Sequence, residues 1–457
     1  MKIQISNQLE IDEIPEPLER EIKTRLTVKN PAYVDALKMG RWTNQIDEHL
    51  FCYQTTANGL TVPRGFIRQL ADMAKQHRET FHWTDRTREL DPVDFVFTGT
   101  LRPYQAAAVS AVIKKRFGVL QAPTGSGKTV MALSIIAGRG QSVLVVCHAR
   151  ELQAQWVDRI SQFLDIPKDE IGIIGGGKKR IGDRVTVAMV QSLHKCKEDV
   201  YPHIGHLIVD ECHRAPSRTF TEAVTAFDSR YMLGLSATPY RRDGLTKLIY
   251  WHIGDRAHSI DQKDLTASGA ILPFRVKTLE TRFTTHRDPS AEYSRMISDL
   301  TKDPERNALI CSEAEQQVIN GHGVPLIISD RKAHCQVISE ILDRDHGIVP
   351  IILTGDLSKK ARKAVVKKLN DGKCKALVAT GQLVGEGFDL PALGSVLLAT
   401  PLKFKGRVIQ YVGRALRPSP GQDHATVVDF VDKDVGVLEH SAKKRMQVYR
   451  EMGASGC

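Results

Sequence analysis

Short apolar runs that alternate with helical segments constrain the fold of this chain more than any other feature. Five runs rich in Val, Ile and Leu lie between residues 101 and about 254, and five more lie between about 322 and 432. Strands of a parallel sheet that is covered by helices on both faces read as continuous apolar runs. The sequence therefore predicts an α/β chain with two parallel sheets in tandem. The runs are FGVLQA, SVLVVCH, VTVAMV, HLIVDE and YMLGLSA in the first set, and VPLIISD, VPIILTG, KALVAT, SVLLAT and ATVVDF in the second.

The segments outside these two sets complete the predicted domain organisation. The N-terminal segment has strand, hairpin and helix signals, including a turn at Asn58-Gly59, and ends at the linker LDPVDF. We expect a small α+β domain over residues 1–95 and a first α/β domain over 96–258. Connecting helices would occupy 259–321, and a second α/β domain would occupy 322–457.

Composition favours a polyanionic partner and gives no sign of a membrane role. The chain has 457 residues and a formal net charge of +11. No apolar stretch approaches the roughly 20 residues of a membrane-spanning helix, and the N-terminus lacks the pattern of a secretory signal. The eight cysteines form no C-x-x-C pair, so reduced and buried thiols are expected rather than a zinc knuckle or a disulfide framework. We expect a cytoplasmic protein.

The segment QAPTGSGKTV has the features of a phosphate-binding loop, because it follows an apolar run and precedes a helical segment. Gly125 and Gly127 let backbone N–H groups approach phosphate oxygens, and the helix start adds a favourable dipole. Lys128 would contact the β- and γ-phosphates, and Thr129 would offer its hydroxyl to Mg²⁺. The predicted loop consists of Ala122, which replaces the usual first glycine, Pro123, Thr124, Gly125, Ser126, Gly127, Lys128 and Thr129.

The segment VDECH, about 80 residues later, supplies two carboxylates directly after another apolar run. Asp210 would hold Mg²⁺ through water, and Glu211 would orient and deprotonate the attacking water. A zinc site is disfavoured because Cys212 and His213 lack further ligands at suitable spacing. For His213 we expect coupling between the nucleotide and the second α/β domain, with an ordinary surface histidine as the alternative.

The segment QYVGRALRP places Gln410, Arg414 and Arg417 at spacings of three and four residues, so all three are expected on one face of a helix. Guanidinium groups aimed at a γ-phosphate would stabilise its charge when the two α/β domains close around the nucleotide. A solvated basic face is the alternative for this segment taken alone.

These segments together resemble the core of the superfamily 2 helicases, over nearly all of residues 101 to 432. The resemblance implies two RecA-like domains that use ATP and Mg²⁺. It also implies that Arg102 and Gln105 of LRPYQ contact adenine, and that Ser236 and Thr238 of SAT couple hydrolysis to motion. The matching motifs, in order, are APTGSGKT, HARELQAQW, VDECH, SAT, LIISDR, LVATGQLVGEGFDLP and QYVGRALRP.

Within the superfamily, the chain is similar to the XPB-like and the phage UvsW-like branch-migration helicases. The resemblance implies that the protein acts in the cytoplasm of a bacterial or phage-infected cell. The resemblance implies that Thr380, Gly387 and Asp389 contribute to the strand contact and the ribose pocket. One departure is Arg241-Arg242-Asp243, where the XPB-like proteins have Arg-Glu-Asp.

Candidate contacts with DNA phosphates follow from position in the motifs. Arg150 belongs to the HARELQAQW segment, Ser192 follows an apolar run, and Gly176, Gly177 and Lys178 lie in the segment GGGKKR. Each of these has an ordinary surface loop as its alternative. The basic helix SKKARKAVVKKLNDGK carries an apolar stripe, which favours a solvated face over a DNA contact.

The N-terminal domain interleaves basic and aromatic residues, among them Lys29, Arg64, Trp42 and Tyr53. This mixture suits duplex or junction DNA, and a packing or protein-docking domain is an equal alternative.

The sequence as a whole predicts an ATP-dependent DNA helicase or translocase. The substrate would be duplex, forked or branched DNA, and the outcome unwinding or branch migration in recombination, repair or replication. We expect a monomer, with recombination or replication proteins as further partners. The alternatives are a duplex translocase subunit of a restriction or remodelling system, an ATP-gated DNA clamp with little hydrolysis, and an RNA helicase.

Overall fold

A computed structural model describes most of the chain, which separates into two compact units. The first unit comprises residues 1–122 and 127–260, and the second comprises 123–126 and 261–457. The described residues are 1–214, 218–237, 244–289, 291–320, 323–381, 393–402, 405–418 and 421–455.

The N-terminal part of the first unit is a small α+β domain, as expected. Its elements are β1 (Lys2–Ile5), β2 (Gln8–Asp12), α1 (Glu16–Arg25), β3 (Thr27–Lys29), α2 (Pro31–Lys38), β4 (His49–Phe51), β5 (Gln54–Thr55), β6 (Gly59–Pro63), α3 (Ile67–Gln76) and β7 (His82–Asp85). Five strands form a mixed sheet in the order β5-β6-β2-β1-β7, while β3 and β4 form a separate pair. Helix α3 buries Leu70, Met73 and Ala74, which share one helical face.

Arg64, one of the basic residues of this domain, is not available for contact with DNA. Arg64 is only 2% exposed, and its guanidinium donates to the carbonyl of Ser229 at 2.8 Å and lies 4.5 Å from the ring centroid of Phe117. The side chain therefore joins the N-terminal domain to the first large sheet. A buried guanidinium needs hydrogen-bond acceptors, which backbone carbonyls supply here.

The rest of the first unit is an α/β layer around an eight-stranded sheet. Its elements are α4 (Pro103–Ile113), β8 (Phe117–Gln121), α5 (Lys128–Arg139), β9 (Val143–Cys147), α6 (Arg150–Leu164), β10 (Gly172–Gly175), β11 (Lys178–Arg180), β12 (Val185–Met189), α7 (Val190–Leu193), α8 (Lys197–Val200), β13 (His206–Val209), α9 (Arg218–Val224), β14 (Tyr231–Ser236), α10 (Thr246–Ile253) and β15 (Arg256–Ser259). The strand order is β11-β10-β12-β9-β13-β14-β8-β15, and each described pair is parallel except β10 with β11.

The five apolar runs predicted for this sheet are all strands, and three further strands lie towards its edges. The segment GGGKKR was expected to be a loop. In the structure it forms the turn and the second strand of a hairpin. Strands β10 and β11 pair antiparallel, with Gly175 opposite Lys178. Gly176 and Gly177 form the turn with φ values of 62° and 85°, which glycine adopts at little cost.

The second unit contains a six-stranded sheet whose described pairs are all parallel, so the predicted α/β fold class is confirmed. Its elements are α11 (Gln262–Ala267), β16 (Phe274–Glu280), α12 (Tyr293–Leu300), α13 (Pro304–Ile319), β17 (Val324–Ser329), α14 (Lys332–His346), β18 (Ile351–Leu353), α15 (Lys359–Asn370), β19 (Leu377–Thr380), β20 (Leu393–Leu398), α16 (Lys405–Ala415), β21 (Ala425–Val431) and α17 (Gly436–Glu451). The order is β16-β21-β20-β17-β19-β18. The segment expected to be purely connecting therefore contributes an edge strand, β16, to this sheet.

Buried ion pairs fix the second sheet to its helices. Arg445 of α17 donates to both carboxylate oxygens of Asp429 at 2.7 and 2.6 Å, and the hydroxyl of Tyr449 donates to the same carboxylate at 2.8 Å. Arg306 of α13 donates to Asp432 at 2.8 Å. Each charge is compensated by its partner, so the strand and the helix hold each other in register.

Candidate nucleotide site

Three adjacent strands of the first sheet bring the predicted catalytic segments to one edge. Strand β13 lies beside β14, which lies beside β8. Asp210 follows β13, Ser236 ends β14, and the phosphate-loop segment follows β8. Because these strands are parallel, their carboxyl ends meet at the same edge of the sheet, where ligands bind in open α/β folds.

The phosphate-loop segment has the backbone that triphosphate binding requires. Gly125 and Gly127 have φ values of 87° and 80°. Helix α5 begins at Lys128, so its first N–H groups and its positive dipole end face the loop. The ammonium of Lys128 donates to the carbonyl of Ala122 at 3.0 Å, which holds it over the loop. Ala122 is buried, and its N–H donates to Ser236 O at 3.0 Å, which ties the loop to β14.

The two predicted adenine contacts lie at the start of α4. Arg102 is exposed, whereas Gln105 is buried. The Gln105 side-chain oxygen accepts from the Arg102 backbone N–H at 2.9 Å. A Cβ atom at Gly127 would lie 2.4 Å from Gln105 Nε2, so the amide of Gln105 occupies the space that glycine leaves open. Gln105 is thus next to the phosphate loop.

The two carboxylates after β13 are held differently. Asp210 Oδ2 accepts from Trp156 Nε1 at 2.8 Å, and Oδ1 accepts from the backbone N–H of Glu211 at 2.9 Å. Glu211 has a φ of 49°, in the left-handed region, which costs a non-glycine residue about 1–2 kcal/mol. Such strain is found where a side chain has to be aimed at a reaction.

Burial and neighbouring charges move the pKa values of the two carboxyl groups in opposite directions. Burial raises the pKa of Asp210, and the charge of Glu211 raises it further. Burial also acts to raise the pKa of Glu211, but hydrogen bonding and charge from His213, together with Lys128 and His148, outweigh it and lower that pKa. Glu211 is thus the more strongly ionised of the two, as a group that receives a proton from water must be.

His213 connects the segment after β13 with the end of β14. Its Nδ1 lies 3.2 Å from Glu211 Oε2 and 3.1 Å from Ser236 Oγ. Ser236 is buried. The predicted coupling residues His213 and Ser236 are therefore in contact within the first unit, and His213 also contacts Glu211.

This donor set fits Mg²⁺ that is bound together with nucleotide phosphates. Mg²⁺ keeps several waters and uses one or two carboxylates beside phosphate oxygens. Among the described residues there is no cluster of three or more His, Cys, Asp and Glu side chains that could hold a metal alone. Asp210, with its raised pKa beside a second carboxylate, would be stabilised by a divalent cation.

The candidate contacts with DNA phosphates, called phosphate grips below, lie on the first unit. Arg150 is exposed and is the first residue of α6. Ser192 is half-buried in α7. Gly176 and Gly177 form the hairpin turn, where a Cβ atom would meet open space, and Lys178 follows on exposed strand β11.

The predicted residues of the second unit are only partly as expected. Thr380 ends β19, and Gln410 and Arg414 lie on α16, with Arg414 8% exposed. Arg417 lies beyond this helix, which ends at Ala415, so the prediction that all three share a helical face is wrong. Pro418 explains the difference, because the residue before a proline is disfavoured in helical conformation.

Several sequence predictions fall outside the described residues, and sequence reasoning also missed one contact. Thr238, Gly387, Asp389 and the departure at residues 241–243 are outside the described ranges. Trp156, which donates to Asp210, was present in the quoted HARELQAQW segment without an assigned role. Its only signal was a tryptophan six residues after the start of a helix that follows a central strand.

Comparison with known protein families shows which of them share these segments. Residues 98–241 match the family model of the type III restriction enzyme, res subunit, and residues 305–419 match that of the helicase conserved C-terminal domain. The chain is a superfamily 2 helicase. It acts as an ATP-dependent helicase or translocase.

Individual relatives of this helicase span most of the chain. A putative ATP-dependent RNA helicase of Acanthamoeba polyphaga mimivirus is 29% identical over 372 residues, which cover 78% of this chain and 69% of the relative. The DNA 3'-5' translocase XPB2 of Sulfurisphaera tokodaii is 26% identical over 386 residues, which cover 76% and 84%.

Solved structures share the fold of this helicase. The fragment structure of a putative HsdR subunit of a type I restriction enzyme from Vibrio vulnificus has a TM-score of 0.57 at 18% identity. The match covers 76% of this chain and 66% of the solved chain.

Every helix that the structure describes is too short or too polar to cross a membrane.

Proposed function

We propose that this helicase couples hydrolysis of ATP with Mg²⁺ to movement along duplex or branched DNA, with unwinding or branch migration as the outcome. The observation that carries the proposal is the convergence of Lys128, Asp210, Glu211 and Ser236 at the carboxyl ends of three adjacent strands. This set contains a phosphate cation, a metal-binding carboxylate, a base for water and a link to the next strand.

Each side chain has a role that follows from its contacts. Lys128 and the N–H groups at the start of α5 bind the phosphates. Asp210 and the hydroxyl of Thr129 would hold Mg²⁺, which would neutralise phosphate charge. Glu211, kept ionised by His213, orients the attacking water and accepts its proton. The roles of Gln410, Arg414 and Arg417 towards the γ-phosphate remain predictions.

The charge distribution supports a nucleic-acid substrate that is bound by the α/β part of the chain. Residues 1–95 contain 13 basic and 15 acidic side chains, whereas residues 96–457 contain 51 basic and 38 acidic ones. The excess positive charge therefore belongs to the α/β part of the chain, where Arg150 and Lys178 are exposed. DNA is favoured because the archaeal relative is named a DNA translocase. Membership of the XPB-like or UvsW-like branch remains a prediction.

A duplex translocase that does not separate strands is the second candidate. The match of residues 98–241 to the model of a restriction-enzyme subunit favours it. An ATP-gated clamp with little hydrolysis is less well supported, because Lys128 and Glu211, the residues proposed here for phosphate binding and water activation, are both present. RNA stays in the comparison, since phosphate contacts alone do not distinguish the two sugars.

Phosphate release measured with duplex DNA, single strands, four-way junctions and RNA tests the proposal, with Glu211→Gln as the control. We expect DNA to stimulate hydrolysis by the wild type strongly and the variant to be inactive. Equal activity with and without nucleic acid, or an active Glu211→Gln variant, would contradict the proposal. A junction-unwinding assay separates the two candidates, since a pure translocase hydrolyses ATP on duplex DNA without releasing strands.

A further inference from the structure

Helix α6 connects two predicted phosphate grips with the catalytic carboxylate. It begins at Arg150, the predicted grip that follows β9. Gln153 donates from Nε2 to the carbonyls of Ile174 at 3.1 Å and Val187 at 2.9 Å. Trp156 donates from Nε1 to Asp210 at 2.8 Å. Arg150, Gln153 and Trp156 are spaced three residues apart, so they lie within about a third of the circumference of α6.

The contact between Trp156 and Asp210 is buried and specific. Trp156 is 2% exposed, and the indole N–H is the only donor of its side chain. One oxygen of the Asp210 carboxylate accepts from the backbone of Glu211, and the other accepts from Trp156. The plane of the carboxylate is therefore set jointly by the chain after β13 and by the position of α6.

The contacts of Gln153 reach the hairpin that carries the second grip. Ile174 belongs to β10, which leads into the turn at Gly176 and Gly177, and Lys178 follows that turn. Gln153 is 9% exposed, so its two hydrogen bonds are shielded from water. A displacement of the hairpin by bound nucleic acid would act on α6 through these bonds.

We propose that Trp156 is a positioning residue that makes the hold of Asp210 on Mg²⁺ depend on the position of α6, and thereby on nucleic acid bound at Arg150 and the hairpin. The inference rests on the proposed function. Residues that hydrogen-bond a metal-binding side chain commonly change metal affinity by about 10–100-fold when they are removed. Trp156 has this relation to Asp210.

The test is Trp156→Phe, which keeps an aromatic ring and removes the N–H donor. We expect the Mg²⁺ concentration for half-maximal ATPase activity to rise about tenfold. Binding of a fluorescent ATP analogue should weaken in Mg²⁺ and stay unchanged in EDTA. Trp251→Phe is the matched control, because Trp251 is a second buried indole of the first unit, packed against the N-terminal domain. It should leave the Mg²⁺ requirement unchanged.

Two further variants separate positioning from folding. Replacement of Trp156 by benzothienylalanine keeps the bicyclic shape without a donor, and it should reproduce the Mg²⁺ effect even if the Phe variant folds poorly. Gln153→Met keeps the length of the side chain and removes both hydrogen bonds. It should reduce the stimulation of hydrolysis by duplex DNA severalfold and leave the basal Mg²⁺ requirement unchanged.

The outcomes distinguish this inference from the proposed function. An unchanged Mg²⁺ requirement in both Trp156 variants would overturn the inference, and so would an equal loss of analogue binding in Mg²⁺ and in EDTA. Analogue binding is measured without nucleic acid, so it tests the role of Trp156 even if DNA fails to stimulate the wild type. In that case the proposed function fails separately.

Discussion

Lys178 offers a sharp test of the hairpin as a phosphate grip, because its neighbours on β11 are already engaged. The ammonium of Lys179 lies 2.5 Å from Asp199 Oδ2, and the guanidinium of Arg180 donates to two backbone carbonyls. Lys178 is exposed and forms no ion pair with any residue that the structure describes. Lys178→Ala therefore removes an available charge, and Lys179→Ala removes a compensated one from the same strand.

The expected magnitude follows from counterion release. One phosphate contact on duplex DNA contributes about 0.9 to the slope of log affinity against log salt concentration. If this electrostatic contribution vanishes near 1 M salt, the same slope corresponds to about fivefold in affinity, or about 1 kcal/mol, at roughly 0.15 M salt. Lys178→Ala should make the slope shallower by about one. Lys179→Ala should change affinity by less than about twofold, because Asp199 already neutralises that lysine.

Fluorescence anisotropy of a labelled duplex, titrated at several salt concentrations between about 50 and 200 mM, measures both quantities. The wild type and the two variants are compared without ATP, so that binding is separated from hydrolysis. Equal losses of affinity in the two variants, or an unchanged slope in Lys178→Ala, would refute the assignment of a phosphate contact to Lys178.

Three further variants test other parts of the structure. His213→Ala should lower kcat of the ATPase about tenfold with little change in KM, since a hydrogen bond to the charged Glu211 is worth about 1.5 kcal/mol; a normal kcat would contradict the coupling role. Gly65→Ala would place a Cβ atom 2.4 Å from two backbone atoms and should destabilise the first unit by about 2 kcal/mol, seen as a lower thermal midpoint. An unchanged thermal midpoint would contradict this prediction, because it would show that the backbone around Gly65 shifts to accommodate the Cβ atom. Arg445→Met should lower the free energy of unfolding in urea by about 3–5 kcal/mol because it strands the buried carboxylate of Asp429, and a double variant that also carries Asp429→Leu should recover part of the loss.

The sequence predicted the central strands and the apolar edge strand β18, and it missed the more polar edge strands β11, β15 and β16, for a physical reason. Strands such as β9 and β13 are buried along their whole length, so their sequences are uninterrupted apolar runs. Strand β11 has the sequence KKR and is fully exposed, and β15 has the sequence RAHS. Strand β16 alternates exposed and buried residues along part of its length. Polar edge strands of this kind are defined by their partners, which local composition does not reveal.

The nucleotide site shows a similar division. Motif spacing was enough to select Lys128, Asp210 and Glu211, because a strand, a turn and a helix start create this chemistry locally. The donor of Asp210, Trp156, lies 54 positions away along the chain, and their contact depends on how α6 packs across the sheet. Pro418 in the sequence indicates that α16 ends before Arg417. The spacing of Gln410, Arg414 and Arg417 alone suggested a longer helix.

The sheet order explains why one helix can link a peripheral grip to the central carboxylate. Strands β10, β12, β9 and β13 are consecutive neighbours, so about 14 Å separates the first from the last at a spacing near 4.8 Å. Helix α6 has 15 residues and a length of about 22 Å, and its side chains reach β10 and β12 through Gln153 and Asp210 after β13 through Trp156. Because these side chains belong to one helix, we expect the contacts at β10 and β12 and the contact with Asp210 to shift together. Loss of Lys178 should therefore weaken binding of DNA, whereas loss of the Gln153 hydrogen bonds should weaken the response to DNA that is already bound.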